Sequence, residues 1–114
     1  MPSQDCRKDK SLSEIEDLKK RVRDFAQSRN WEKFHTPKNL AMAVAGEAGE
    51  LAAEFQWLTP TESSGLTKDQ LKAVELEMAD VAIYLLRLAD VLGIDIAGAV
   101  QEKIELNEGR FPQG

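Results

Sequence analysis

From Met78 to Leu92 the chain is apolar nearly all the way round a helix. Met78, Val81, Ala82, Ile83, Leu85, Leu86, Leu88 and Ala89 leave almost no solvated face. Such a helix must be buried on most sides, and 114 residues supply one modest domain to bury it. The flanking stretches carry the same helical period, and no alternation of the β type competes with it. The expected fold is therefore all-α: four helices joined by short links into an antiparallel bundle.

Residues Met1 to Lys10 have no periodicity and are expected to form a mobile tail, with residues 1–12 outside the domain and 13–114 inside it. A first helix is expected from near Ser11 or Ser13, where SLSE and SEIE both fit a capping box. Its apolar positions are Ile15, Leu18, Val22 and Phe25, and it should fade at Ser28 to Asn30. Thr36-Pro37 pairs an N-cap with a proline in the first turn and opens a second helix, expected to reach Trp57 or Leu58. TPTESSG is read as a loop. Thr67 and Gln70 form a capping box for the third helix, which Gly93 stops. Asp95 can cap a fourth helix ending near Asn107 to Gly109.

The balance of residues narrows the function. With 42% hydrophobic and 31% charged residues the chain reads as soluble and folded, and its net charge of −5 argues against a sequence-independent nucleic-acid binder. Cys6 is the single cysteine, so no disulfide framework exists, which fits a cytoplasmic protein. No apolar run approaches the roughly 20 residues of a membrane span.

Several acids sit where acids are costly. On the second helix, Leu40, Val44, Leu51, Phe55 and Leu58 fall in one narrow stripe, and Glu47, Glu50 and Glu54 flank it. Glu47 and Glu50, three apart, repel one another. On the apolar third helix, Glu77, Asp80, Tyr84 and Arg87 gather on one side. Two i, i+3 acid pairs beside a core call for a cation or basic partners. Packed antiparallel, the two helices could bring Glu47, Glu50, Glu77 and Asp80 together as an oxygen-rich site suited to Mg²⁺, or to Mn²⁺. His35 is the only histidine, which argues against zinc or copper. Ordinary surface salt bridges are the competing explanation for either pair alone.

Other groups could complete such a site. Lys103, Asn107 and Arg110 share one face of the fourth helix, where the two cations could meet phosphate oxygens. Taken alone, that face reads as solvated. Trp31 and Trp57 lie at helix ends, where indoles either stack on a base or close the bundle. Tyr84 is a ligand contact or a core tyrosine, and His35 is read as structural.

Taken together, WEKFHTPKNLAMAVAGEAGELAAEFQW, ELEMADVAIYLL and KIELNEGRFP resemble the MazG-like all-α nucleoside triphosphate pyrophosphatases, and the deoxycytidine triphosphate pyrophosphatase branch most closely. The resemblance spans residues 14 to 112. It implies that Glu47, Glu50, Glu77 and Asp80 hold magnesium. It also implies that Trp31, Trp57 and Tyr84 surround the base and sugar, and that Lys103, Asn107 and Arg110 lie nearer the phosphates. Members of the family assemble as dimers or tetramers. The branch carries a substrate-contacting histidine in the first helix where this chain has Val22, and TPTESSG is shorter than its counterpart, which leaves the base preference open.

The implied reaction hydrolyses the bond between the α- and β-phosphates, giving a nucleoside monophosphate and pyrophosphate, in the service of nucleotide-pool sanitation. Glu50, or else Glu47, would position or deprotonate the attacking water. A deoxyuridine-directed or broad-range triphosphatase is the alternative within the same chemistry. A non-catalytic helical oligomerisation module is the alternative from another class.

Overall fold

The computed structural model describes the backbone of residues 3–113 and the side chains of residues 14–113. Five α-helices run in order: α1 (Ser3–Ser28), α2 (Pro37–Ala53), α3 (Pro60–Ser63), α4 (Lys68–Leu92) and α5 (Ile96–Arg110). A 3-10 turn, Glu32–Phe34, lies between α1 and α2. No strand occurs among the described residues.

Local chemistry sets most of the boundaries. The Thr36 hydroxyl accepts from the Asn39 amide ahead of Pro37, and Thr67 and Gln70 form the reciprocal box that opens α4. α4 ends in a Schellman motif. Gly93 adopts φ 68°, its amide reaches the Asp90 carbonyl at 3.2 Å, and the Ile94 amide reaches Ala89 at 2.8 Å. α1 ends the same way around Asn30 at φ 56°, with the Trp31 amide on the Ala26 carbonyl at 2.9 Å. Asp95 caps α5 through the Gly98 amide.

Three boundaries differ from expectation. The backbone of α1 is helical from Ser3, well before the expected cap, although the side chains of the expected tail lie outside the described residues. α2 stops at Ala53, not at Trp57 or Leu58. The amides of Glu54, Phe55 and Leu58 bond three residues back, which tightens the chain into successive turns. The segment TPTESSG, expected as a loop, contains α3. Thr59 and Glu62 form a full capping box with Pro60 in the first turn. The Thr-Pro signal that identifies α2 is present here too, as is a capping box like that of α4, closed here by Glu62 and there by Gln70.

Packing rests on α4, which lies against α2 extensively and against α1 less so, while α5 leans only lightly on the rest. Among the described residues the buried apolar side chains are Ala26, Leu40, Val74 and Ala89. On α1 the buried line runs through Lys19 and Ala26, with Ile15 and Val22 half-buried. Leu18 and Phe25, expected in the core, are about half exposed. α4, expected to be covered on most faces, leaves Leu76, Met78, Ile83 and Leu85 exposed within the single chain. The radius of gyration, 17.3 Å, exceeds the value of about 13 Å usual for a closed domain of this length.

One polar network joins the layers. Asp90 of α4 accepts from Arg23 of α1 at 2.9 and 2.7 Å, and from Arg87 Nη1 at 3.0 Å. Lys19, 6% exposed, sends its ammonium to the Ile94 carbonyl just past the end of α4. The Arg23 hydrogen bonds hold the Asp90 carboxyl below its usual range, against the opposing effect of burial. A depressed carboxyl pKa stabilises the fold above the unfolded value of about 3.9, and that contribution fades as pH falls through the folded value. Asp90→Asn should therefore cost about 3 kcal/mol at pH 7. In chemical denaturation the gap from the wild type should narrow as pH drops below about 4; a gap that stays constant with pH would contradict the assignment.

Candidate functional site

Where α2 and α4 pack together, acids from both helices converge. One carboxylate oxygen from each of Glu47, Glu77 and Asp80 lies within 4.8 Å of the other two. Oxygens on opposite sides of a Mg²⁺ ion, each at about 2.1 Å, stand about 4.2 Å apart, so small side-chain rotations would close the set on a cation. Glu47 and Glu77 are half-buried and Asp80 is exposed. Burial, followed by the charges of Asp80, Glu47, Glu50 and Glu54, raises the Glu77 carboxyl above its ordinary value. The cluster thus carries unrelieved negative charge, and its donors are all hard oxygens, as a divalent cation of the Mg²⁺ class requires. Glu50 stands outside the three-oxygen group, on the exposed side of α2, but close enough to act on Glu77.

A cavity of about 160 Å³ adjoins this cluster, and Asp80 belongs to both. Its wall includes Val22, Phe25, Trp31, Tyr84, His35 and Arg87. That volume is below the roughly 300–1,000 Å³ of a site enclosing a whole drug-sized ligand. It suits one flat ring with the remainder of the molecule outside. Trp31 is held edge-on to Phe25, with centroids 5.5 Å apart and planes at 69°, and it stands 6.3 Å from the His35 ring. Beyond Val22, Phe25 and Ile83 the cavity continues into a groove reaching Leu18 and Arg21. Leu18 and Phe25 are exposed because they line this open side of α1.

The four residues of the polar strip on α4 divide between the two features: Glu77 and Asp80 face α2, while Asp80, Tyr84 and Arg87 line the cavity. Trp31 joins them. Trp57 does not, and at 86% exposure it touches neither feature. Lys103, Asn107 and Arg110 are also exposed and belong neither to the cavity nor to the acidic cluster, because α5 stands away from the seam between α2 and α4. His35, read as structural from the sequence, is a cavity residue. The signal for it was available, because a histidine four residues after Trp31 and just ahead of a helix cap lies where a turn can aim both rings inward.

Comparison with known proteins finds clear relatives. The sequence model of the MazG-like family matches residues 43–113. A human protein, dCTP pyrophosphatase 1, is 41% identical over 100 residues, and its mouse counterpart 40%. In each case the alignment covers 86% of this chain and 59% of the relative, so the chain spans about three-fifths of the length of these curated relatives. A crystal structure of a pyrophosphatase from Archaeoglobus fulgidus superposes with a TM-score of 0.83 at 42% identity, covering 88% of this chain and 94% of that one. The chain belongs to the MazG-like family.

Proposed function

We propose that the chain is a magnesium-dependent nucleoside triphosphate pyrophosphohydrolase, acting on dCTP or a modified dCTP, with residues 13–114 as one catalytic domain. The observation that carries this reading is the sharing of Asp80 between an acidic cluster and an aromatic cavity. A molecule with a flat ring at one end and a cation-binding group at the other would fill both. A base on a triphosphate has that form. The names of the human and mouse relatives point the same way.

In this reading Glu47, Glu77 and Asp80 hold the metal, with Glu50 as a fourth ligand or as the residue that positions and deprotonates water. Magnesium, or manganese in its place, would supply positive charge against the triphosphate and the transferring phosphoryl group. Trp31 and Tyr84 would flank the base. The acids of α2 and α4 repel a bare triphosphate, so the chain's own cations matter at the far end. Lys103 and Arg110 on α5 would meet the departing pyrophosphate, with Asn107 orienting sugar or phosphate. As they lie away from the seam, they would reach a triphosphate by closure of α5 or from a neighbouring copy; Trp57 falls under the same condition.

A second copy of this chain is the partner that fits. α4 exposes Leu76, Met78, Ile83 and Leu85, α5 exposes Val100, Ile104 and Leu106, and the four buried apolar residues among those described are a thin core. Apolar surface of that extent on a folded chain marks an interface. A dimer or tetramer would cover it and bring α5 of one copy towards the site of another. No helix among the described residues is long and apolar enough to cross a membrane, and a cytoplasmic location belongs to the same reading.

Val22 in the cavity wall favours a second substrate reading, because an apolar side chain there offers no polar contact to a base edge. Hydrolysis rates across the eight common nucleotides would separate the two, and a clear preference for dUTP or no preference would replace dCTP. Release of pyrophosphate should stop in EDTA and return with Mg²⁺. Glu47→Gln should lower kcat at least about a hundredfold while leaving the helical circular dichroism spectrum intact. A folded Glu47→Gln protein with the wild-type rate would leave the cluster without a catalytic role and favour a non-catalytic oligomerisation module. Light scattering should give the mass of a dimer or tetramer, and Met78→Asp should shift it towards the monomer.

A further inference from the structure

Arg87 is 5% exposed, and only part of its donor fork meets a carboxylate. Nη1 donates to Asp90 at 3.0 Å, while Nε donates to His35 Nδ1 at 3.1 Å. Asp90 is in turn gripped by two bonds from Arg23, so the guanidinium is braced from behind. Arginine can only donate, and a ring nitrogen that accepts carries no proton. The proton of a neutral His35 therefore sits on Nε2. Burial and the adjacent Arg87 charge both lower the His35 pKa, which favours the neutral ring. Among the described residues Nε2 makes no hydrogen bond and no buried side-chain nitrogen or oxygen lacks a partner, so this N–H reaches solvent. The ring forms part of the cavity wall beside Trp31 and Tyr84.

We propose that Arg87 is a positioning residue of the nucleotide site. By occupying Nδ1 it makes His35 a fixed Nε2–H donor for a ring nitrogen or carbonyl oxygen of the bound base. The inference rests on the reading that the cavity receives the base, and it adds how that base is discriminated. Val22, Phe25 and Ile83 make one part of the wall apolar, and His35 shares the polar part with Trp31, Asp80, Tyr84 and Arg87, so the direction of its donor bears on which base edge is satisfied. A base with an acceptor there satisfies it, and one presenting an N–H or C–H leaves it unpaired. Without Arg87 the imidazole could turn either nitrogen into the donor, and the cavity would lose its preference.

The chain has one histidine, so a long-range proton–nitrogen spectrum of tag-free protein labelled in the histidine ring reports His35 alone. At neutral pH the wild type should show the Nε2–H tautomer as a single species. Arg87→Lys keeps the charge but loses the directed Nε–H, and should relax the ring to a mixture of tautomers. With the preferred triphosphate, His35→Phe and Arg87→Lys should raise KM roughly three- to tenfold with kcat within about twofold, the signature of a lost binding contact. His35→Gln, whose amide can donate from nearly the same place, should recover most of that loss. A wild-type ring protonated on Nδ1, or on both nitrogens, would overturn the proposal, as would an unchanged KM in His35→Phe. Should Arg87→Lys fail to fold, the wild-type spectrum and the variants of the half-exposed His35 still decide. If the wild type hydrolyses no triphosphate at all, the functional reading falls, and with it the ligand assigned to His35. Normal hydrolysis with an Nδ1–H histidine would sink this inference alone.

Discussion

The Asp90 carboxylate ties the molecule together. It takes two hydrogen bonds from Arg23 on α1 and one from Arg87 on its own helix, and Arg87 extends the chain of contacts to His35 ahead of α2. Apolar burial is too sparse to set the angle between α1 and α4 by itself, because the buried apolar side chains there are the alanines Ala26 and Ala89. Directional bonds to a partly desolvated carboxylate fix what dispersion leaves loose. Of these residues Arg87, His35 and Ala26 also line the cavity, so the joint that holds the helices helps to shape the space between them.

The acidic seam obeys the opposite logic. Glu47, Glu77 and Asp80 approach one another with no cation paired to them among the described residues, and the raised Glu77 carboxyl registers the cost. A stable fold tolerates such a cluster when it is paid back by a ligand, and a divalent cation carrying a triphosphate is the proposed one. Negative charge at the seam and apolar surface on the outer faces of α4 and α5 are two unmet demands of a single chain. A metal is the proposed answer to the first and another copy the proposed answer to the second. Both concern α4, the helix that packs against α1 and α2 alike.

Much of the helical framework was legible because capping is local. Thr36-Pro37, Thr67 with Gln70, Gly93 and Asp95 each act over a few residues, and each marks a boundary that the structure keeps. The missed α3 carries a capping box of the same kind, Thr59 with Glu62, in a segment too short to show periodicity. The apolar stripe of α1 was misplaced for a different reason. Hydropathy puts Leu18 and Phe25 inside and Lys19 outside, but the Ile94 carbonyl offers a buried acceptor to the lysine. That acceptor is 75 residues away in the chain, and no window along the sequence contains it.

The candidate site divides along the same line. Spacing alone put acids on the apolar sides of two helices and gathered Glu77, Asp80, Tyr84 and Arg87 on one strip, since three- and four-residue intervals share a helix face whatever the tertiary fold. Which residues of other elements meet that strip was decided by packing. Trp31 and His35 reach it because a turn after α1 folds them inward, whereas Trp57 and the polar face of α5 stay outside the single chain. The tautomer of His35 belongs wholly to the tertiary structure, for it depends on a guanidinium 52 positions along the chain. Periodicity specifies what a helix presents; only the packed neighbours specify to whom.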